Sequence, residues 1–210
     1  MDKNMKVGKY GRIPIAVPFE GDRNYVHGSY LYTAVSDILK ETFDDKNIWI
    51  DYIILRKFIV SSCSIILTDD KRNANEEICS EFTAQTAKTK LKGQIIETGN
   101  KIKLRVPFDE EKITSHAIIR GETILQKKRT EYPPIKEIII LTKYLHNSSI
   151  PISNGKWIFS CLDLSRPFKE NENVLYKIRL KQNLANRMTI SEIEEAGTLI
   201  GKIQFAVAKI

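Results

Sequence analysis

The sequence predicts an α+β protein made of two tandem copies of one unit: a strand, a helix, then long antiparallel strands curving around the helix. Three observations predict it. The helical stretch His27 to Phe43 is followed directly by a long β-type run, Trp49 to Leu67. A second helical stretch, Ile135 to His146, is followed by the β-type runs Trp157 to Leu164 and Val174 to Ile193. The second helix is also apolar around most of its circumference, which marks a buried helix. Each copy takes about half the chain, 1–106 and 107–210.

Gly11 to Pro18 reads as the first strand and Phe19 to Val26 as a polar connection. Tyr30, Leu31, Ala34, Val35, Ile38 and Leu39 recur at the helical period and form one broad apolar face. Gly28 and Ser29 supply the helix start, because a small or hydroxyl residue there can satisfy orphan amides. Asp44-Asp45 ends the pattern. Trp49 to Leu67 is too rich in β-formers for a helix and too long for one strand, so a break is expected near Arg56-Lys57. Thr68 to Glu77 reads as a loop, and Ile78 to Thr98 as strand, with Leu91, Gly93 and Ile95 alternating against Lys90, Lys92 and Gln94. Thr98 to Lys101 has hairpin-turn chemistry, after which Ile102 to Val106 continues the β pattern.

In the second half Gly121 to Gln126 reads as a strand and Tyr132-Pro133-Pro134 as punctuation before the helix, where proline costs no donor. Lys136 and Lys143 form its narrow polar edge. Asn147 to Gly155 reads as a loop. Val174 to Ile193 is a long strand or strand pair, Glu194 to Gly197 a turn, and Thr198 to Ile210 the closing strand. Trp49-Ile50 aligns with Trp157-Ile158 and, at the same interval, Leu91-Lys92-Gly93 with Leu199-Ile200-Gly201. A rival alignment sets Val17-Pro18-Phe19 and His27 against Val106-Pro107-Phe108 and His116. The first is preferred because it keeps helix and strands in step.

The formal charge of +7 favours anionic partners without choosing among phosphate-bearing cofactors, acidic carriers, nucleic acid or a membrane surface. The polar N-terminus predicts no secretory signal, and no apolar run reaches the ~18 residues of a membrane span. Cys63, Cys79 and Cys161 lack metal or disulfide spacing and read as reduced buried thiols, so a cytoplasmic location is expected. The three histidines give no metal-ligand spacing.

This order of elements, the repeat and the ending Thr198 to Ala208 resemble the double hotdog-fold family, in which a curved antiparallel sheet wraps a central helix. Polyketide-type dehydratase domains and A-factor-biosynthesis-like proteins have this arrangement. His27-Gly28-Ser29-Tyr30-Leu31 is similar to the histidine-led helix start of those families. The fuller dehydratase signature, histidine then a spaced glycine and proline, is absent, and the reaction stays open among hydrolysis, dehydration and acyl transfer. The resemblance implies an acyl thioester as substrate, carried on coenzyme A or on an acyl carrier protein. It implies no separate cofactor, and either a monomer or a homodimer.

On that resemblance His27 is the catalytic candidate, a general base or acid beside helix-start amides that favour an oxyanion. The alternative is a loop histidine that merely caps the helix or faces solvent. Glu137, in the first turn of the second helix, is a second acid/base candidate or only a dipole partner. Asp37 is a substitute for Glu137 or a solvated flank. Gly28 and Ser29 are expected to bind substrate through the helix start, and Arg166 to place a cation near a pocket mouth unless it is only a turn residue. His146, at a helix end, reads as a favourable charge on the negative end of the dipole. Two strand-borne sets, Lys88, Lys90, Lys92 and Lys177, Arg179, Lys181, are a phosphate strip or simply the solvated face of a sheet. The alternatives to an enzyme are a non-catalytic acyl-ligand-binding protein and a basic nucleic-acid-binding β protein. Aromatic residues are not interleaved with the lysines as base stacking needs, which disfavours the last.

Overall fold

The computed structural model describes residues 11–68, 77–169 and 174–209. Most of the loop expected at Thr68 to Glu77, and the final residue of the closing strand, lie outside them. The chain divides into two compact units, Met1–Val106 and Pro107–Ile210.

In the first unit, β1 (Ile13–Ile15) and β2 (Phe19–Glu20) precede α1 (Gly28–Phe43). The strands β3 (Trp49–Leu55), β4 (Cys63–Leu67), β5 (Ile78–Gln85), β6 (Lys90–Glu97) and β7 (Arg105–Val106) follow. The sheet order is β1-β4-β6-β5-β3, with antiparallel neighbours. The long run from Trp49 breaks at 56–62, where the Val60 and Ser61 amides donate to Glu97 Oε1. Helix α1 packs on β1 and β3. Leu31, Val35 and Leu39, four residues apart, are fully buried, as are Ile50, Ile53, Ile65 and Ile95 of the sheet. The helix ends at Asp44, in a left-handed conformation whose amide bonds back to Glu41.

Two expectations are corrected here. Thr98 to Lys101 does not form a hairpin. Thr98 and Asn100 instead bond with Ser62, and β7 pairs in parallel with β2. The segment from Phe19 is not merely a polar connection, because it supplies β2.

In the second unit a short helix, α2 (Glu111–Thr114), and the hairpin β8 (Ala117–Arg120) and β9 (Thr123–Gln126) lead to α3 (Pro134–Ser149). Then come β10 (Lys156–Leu164), β11 (Tyr176–Leu184), β12 (Met188–Glu195) and β13 (Thr198–Ala208). The order is β10-β13-β12-β11-β9-β8, again antiparallel. Ala196 and Gly197 both have positive φ in the tight β12–β13 turn. Helix α3 packs on β9, β10 and β11. It is buried around most of its circumference, as Ile135, Ile138, Ile139, Ile140, Leu141 and Leu145 require. It also runs three residues further than its apolar pattern, to Ser149. Lys136 is not on a polar edge: it is 4% exposed, with Nζ 3.9 Å from the centroid of Phe108 and 4.7 Å from that of Tyr132. Two aromatic faces make the site tolerable for the ammonium.

The two units differ in the connectivity of their strands. In the second unit β11, β12 and β13 form a meander. In the first, β4 and β5 flank β6, which the chain adds last. The expected alignment of Leu91-Lys92-Gly93 with Leu199-Ile200-Gly201 therefore joins strands that hold different places in their sheets.

Candidate functional site

The site is built at the start of α1. Parallel pairing of Phe19–Glu20 with Arg105–Val106 fixes the entering chain. The Phe19 amide donates to Leu104 O and the Gly21 amide to Val106 O, both at 2.9 Å. Gly21 has φ +54, a conformation that favours glycine, and it turns the chain there. Arg105 lies over the Phe19 ring and donates to the Gly21 and Arg23 carbonyls. A final tether, Val26 amide to Ile59 O at 2.8 Å, delivers His27 to the N-cap of α1.

This pinning buries Glu20 completely. Its Oε2 lies 3.3 Å from Arg23 Nη1 and 3.7 Å from His27 Nδ1. His27 Nδ1 is also 2.7 Å from Ser29 Oγ. His27 is 7% exposed and Ser29 2%. The hydroxyl expected to cap the helix thus faces the imidazole, and α1 has no side-chain cap bond. His27 O accepts from the amides of Tyr30 and Leu31. Helix geometry leaves the Gly28 and Ser29 amides without an intrahelical acceptor. The arrangement joins an imidazole, a buried carboxylate, a hydroxyl and helix-start amides, the groups needed to move a proton beside a developing oxyanion.

Other expected residues lie elsewhere. Asp37 is exposed on α1, ten residues beyond His27 and so about 15 Å along the helix at ~1.5 Å per residue. It is a solvated flank and takes no part in the site. Glu137 is fully buried in α3 with its carboxylate engaged. Its Oε1 accepts from the Thr130 amide at 2.7 Å and the Thr130 hydroxyl at 2.8 Å. Its Oε2 forms an ion pair with Arg129 Nε, without the alignment of a hydrogen bond. Arg166 is not a spare cation at a mouth. It is paired with Glu195, which also accepts from the Lys169 amide and, at 3.4 Å, from the Tyr176 hydroxyl. Burial pushes the Tyr176 phenol well above its usual range. The Arg129 guanidinium lies over the Tyr176 ring, so these groups form one polar network inside the second unit.

His146 is corrected too. It is fully buried against the rings of Trp157 and Phe205, near the hydroxyls of Ser191 and Thr189. Burial lowers its pKa to about 4, so it is neutral and gives no charge to the helix end. Three of the strand lysines face carboxylates: Lys90 with Asp51, Lys177 with Glu194 and Lys181 with Glu192. The three cysteines are free thiols and buried, and burial pushes the Cys63 thiol up to about 12. Among the described residues no group of three His, Cys, Asp or Glu side chains is placed to hold a metal, and no helix is long and apolar enough to cross a membrane.

Sequence reasoning missed Glu20. Its neighbours gave no periodic signal, and its burial depends on a strand 85 residues away. The nearest local hint was a carboxylate seven residues before a helix-start histidine, a pattern with no specificity of its own.

No family model and no curated protein sequence matches the chain. Solved structures do. The chain is similar to the CurJ dehydratase, at 10% identity and TM-score 0.51, over 92% of this chain and 87% of that one. It is similar to the dehydratase domain of the polyketide PpsC from Mycobacterium tuberculosis, at 12% identity and TM-score 0.50, over 100% of this chain and 91% of that one. It is also similar to the pyran synthase domain from module nine of the sorangicin pathway, at 11% identity and TM-score 0.50, over 95% of each chain. At these identities the likeness establishes the fold: the chain is a hotdog-fold protein.

Proposed function

We propose that this chain is a double hotdog enzyme that acts on acyl thioesters, carried by coenzyme A or by an acyl carrier protein. The observation that carries the reading is His27 at the start of α1, beside the Gly28 and Ser29 amides and backed by a buried carboxylate. The dehydratases among the fold neighbours support the substrate class. In this reading the thioester carbonyl oxygen takes the Gly28 and Ser29 amides, which stabilise the charge developing on it. His27 removes a proton, either from the carbon beside the carbonyl or from an attacking water, and returns it to the leaving group. The first choice gives loss of water from a hydroxyacyl chain and the second gives hydrolysis. Glu137 serves as a structural anchor for the turn before α3, since three contacts already hold its carboxylate.

A non-catalytic acyl-binding protein is the second reading, favoured by how little of His27 and Ser29 is exposed. Nucleic-acid binding is weakened because Lys90, Lys177 and Lys181 face carboxylates. The test is mass spectrometry of the protein incubated with saturated, 3-hydroxy and 2-enoyl thioesters on coenzyme A and on a carrier protein. Loss of water or of the acyl group, abolished in His27→Ala, is the expected result. Turnover unchanged by His27→Ala would remove His27 from the chemistry. Intact thioesters that nevertheless raise the melting temperature would make the protein a binder.

A further inference from the structure

Two kinds of atom surround one nitrogen of His27. Nδ1 faces Ser29 Oγ at 2.7 Å and Glu20 Oε2 at 3.7 Å. A hydroxyl can donate or accept, but an ionised carboxylate can only accept. The same carboxylate oxygen forms an ion pair with the Arg23 guanidinium, at 3.3 Å. Glu20 is fully buried, so little water screens its charge at the imidazole. The position is also built: β2–β7 pairing, the Gly21 turn and the Arg105 contacts to the loop hold Glu20 at this place. The surroundings of Nδ1 therefore favour a proton on Nδ1.

We infer that Glu20 is the positioning residue of the site: it holds neutral His27 in the Nδ1–H form, so that Nε2 is the atom that accepts and returns the substrate proton. Ser29 accepts from Nδ1 and keeps the ring from rotating about its χ2 bond. Glu20 touches no substrate in this scheme. It acts through the imidazole, and its charge favours the protonated ring that forms when Nε2 takes a proton. This deepens the reading of the site given above and rests on it for its catalytic meaning, but the proton's location is a property of the resting protein.

That property is measurable without any substrate. Nitrogen-15 NMR of ring-labelled histidine distinguishes a protonated from an unprotonated ring nitrogen, with His27→Gln identifying the His27 signals. The expected result above the His27 midpoint is a protonated Nδ1 and an unprotonated Nε2. In Glu20→Gln the midpoint should fall by about one pH unit, since an opposite charge within ~4–6 Å is removed. In Ser29→Ala the proton should remain on Nδ1, because Glu20 still faces it. A proton on Nε2 in the unaltered protein overturns the inference. So does a midpoint unmoved in folded Glu20→Gln, or a proton that leaves Nδ1 only in Ser29→Ala. Should Glu20→Gln fail to fold, the unaltered protein and Glu20→Asp, expected to shift less, still decide it. Failure of every thioester in the turnover assay would leave these spectra unchanged, so the two readings fail separately.

Discussion

The two units of the chain solve the same packing problem and differ at the start of their helices. In each, a sixteen-residue helix packs on its own antiparallel sheet. The start of α1 presents an imidazole between a hydroxyl and a carboxylate. At the start of α3, Pro133 and Pro134 lead into the helix, and Glu137 is tied to Arg129 and Thr130. One end keeps an imidazole beside the helix-start amides, and the other locks its charges against each other. The difference teaches that a helix start is not a site by itself: what faces the first-turn amides decides whether the end can move a proton. It also explains why the carboxylate of the second unit, though in the first turn of a helix, serves as an anchor in our reading.

The most severe way to break this contrast is to open the locked end. Glu137→Ala leaves Arg129, with a side chain 9% exposed, buried beside no carboxylate at that position. Removing one partner of a buried pair costs about 3–5 kcal/mol. Urea denaturation should show a loss of that size. A loss under about 1 kcal/mol would mean that the Arg129–Glu137 pair is not what holds the turn before α3.

The histidines sharpen the contrast next. His27 faces a carboxylate, whereas His146 is enclosed by Trp157, Phe205 and hydroxyls. Burial lowers the His146 pKa from 6.5 to about 4. Its folded value is below its unfolded value, so the unfolded chain takes up a proton first as pH falls. Its contribution to stability is complete above pH 6.5 and is lost as pH falls toward 4, by about 3 kcal/mol in total at ~1.4 kcal/mol per unit. Denaturation at several pH values should show that the unaltered protein loses this much more than His146→Gln over the interval. Equal slopes would mean that His146 is not held neutral.

Much of this was legible in the sequence because it is local. The face of α1 through Leu31, Val35 and Leu39, the all-round apolar surface of α3 and the break near Arg56-Lys57 follow from spacing and residue type. The place of β6 between β4 and β5 does not, because alternation tells which face a residue takes and not which strand lies beside it. The same limit hid Glu20, whose burial depends on β7, and gave His146 a charge, since a helix-end position says nothing of Trp157 and Phe205 closing around it. Lys136 reads as polar in any pattern, and only the placement of Phe108 and Tyr132 explains why it is inside.

The smallest expected effect tests the connectivity through the two glycines that the sequence aligned. Gly93 in β6 lies opposite Phe82, and a Cβ there would meet the ring at 2.2 Å. Gly201 in β13 lies opposite Leu164, and a Cβ there would meet the Asp163 carbonyl oxygen at 2.2 Å. The ring is a side chain that can turn aside within its own sheet, whereas the carbonyl belongs to the backbone of β10. Overpacking of this kind costs about 1–3 kcal/mol. Gly93→Ala should therefore fall near the low end and Gly201→Ala near the high end, by denaturation under one condition. If the two glycines held equivalent places, as their alignment implies, the losses would match. A larger loss at Gly93 would mean that Phe82 is clamped more firmly than the β10 backbone.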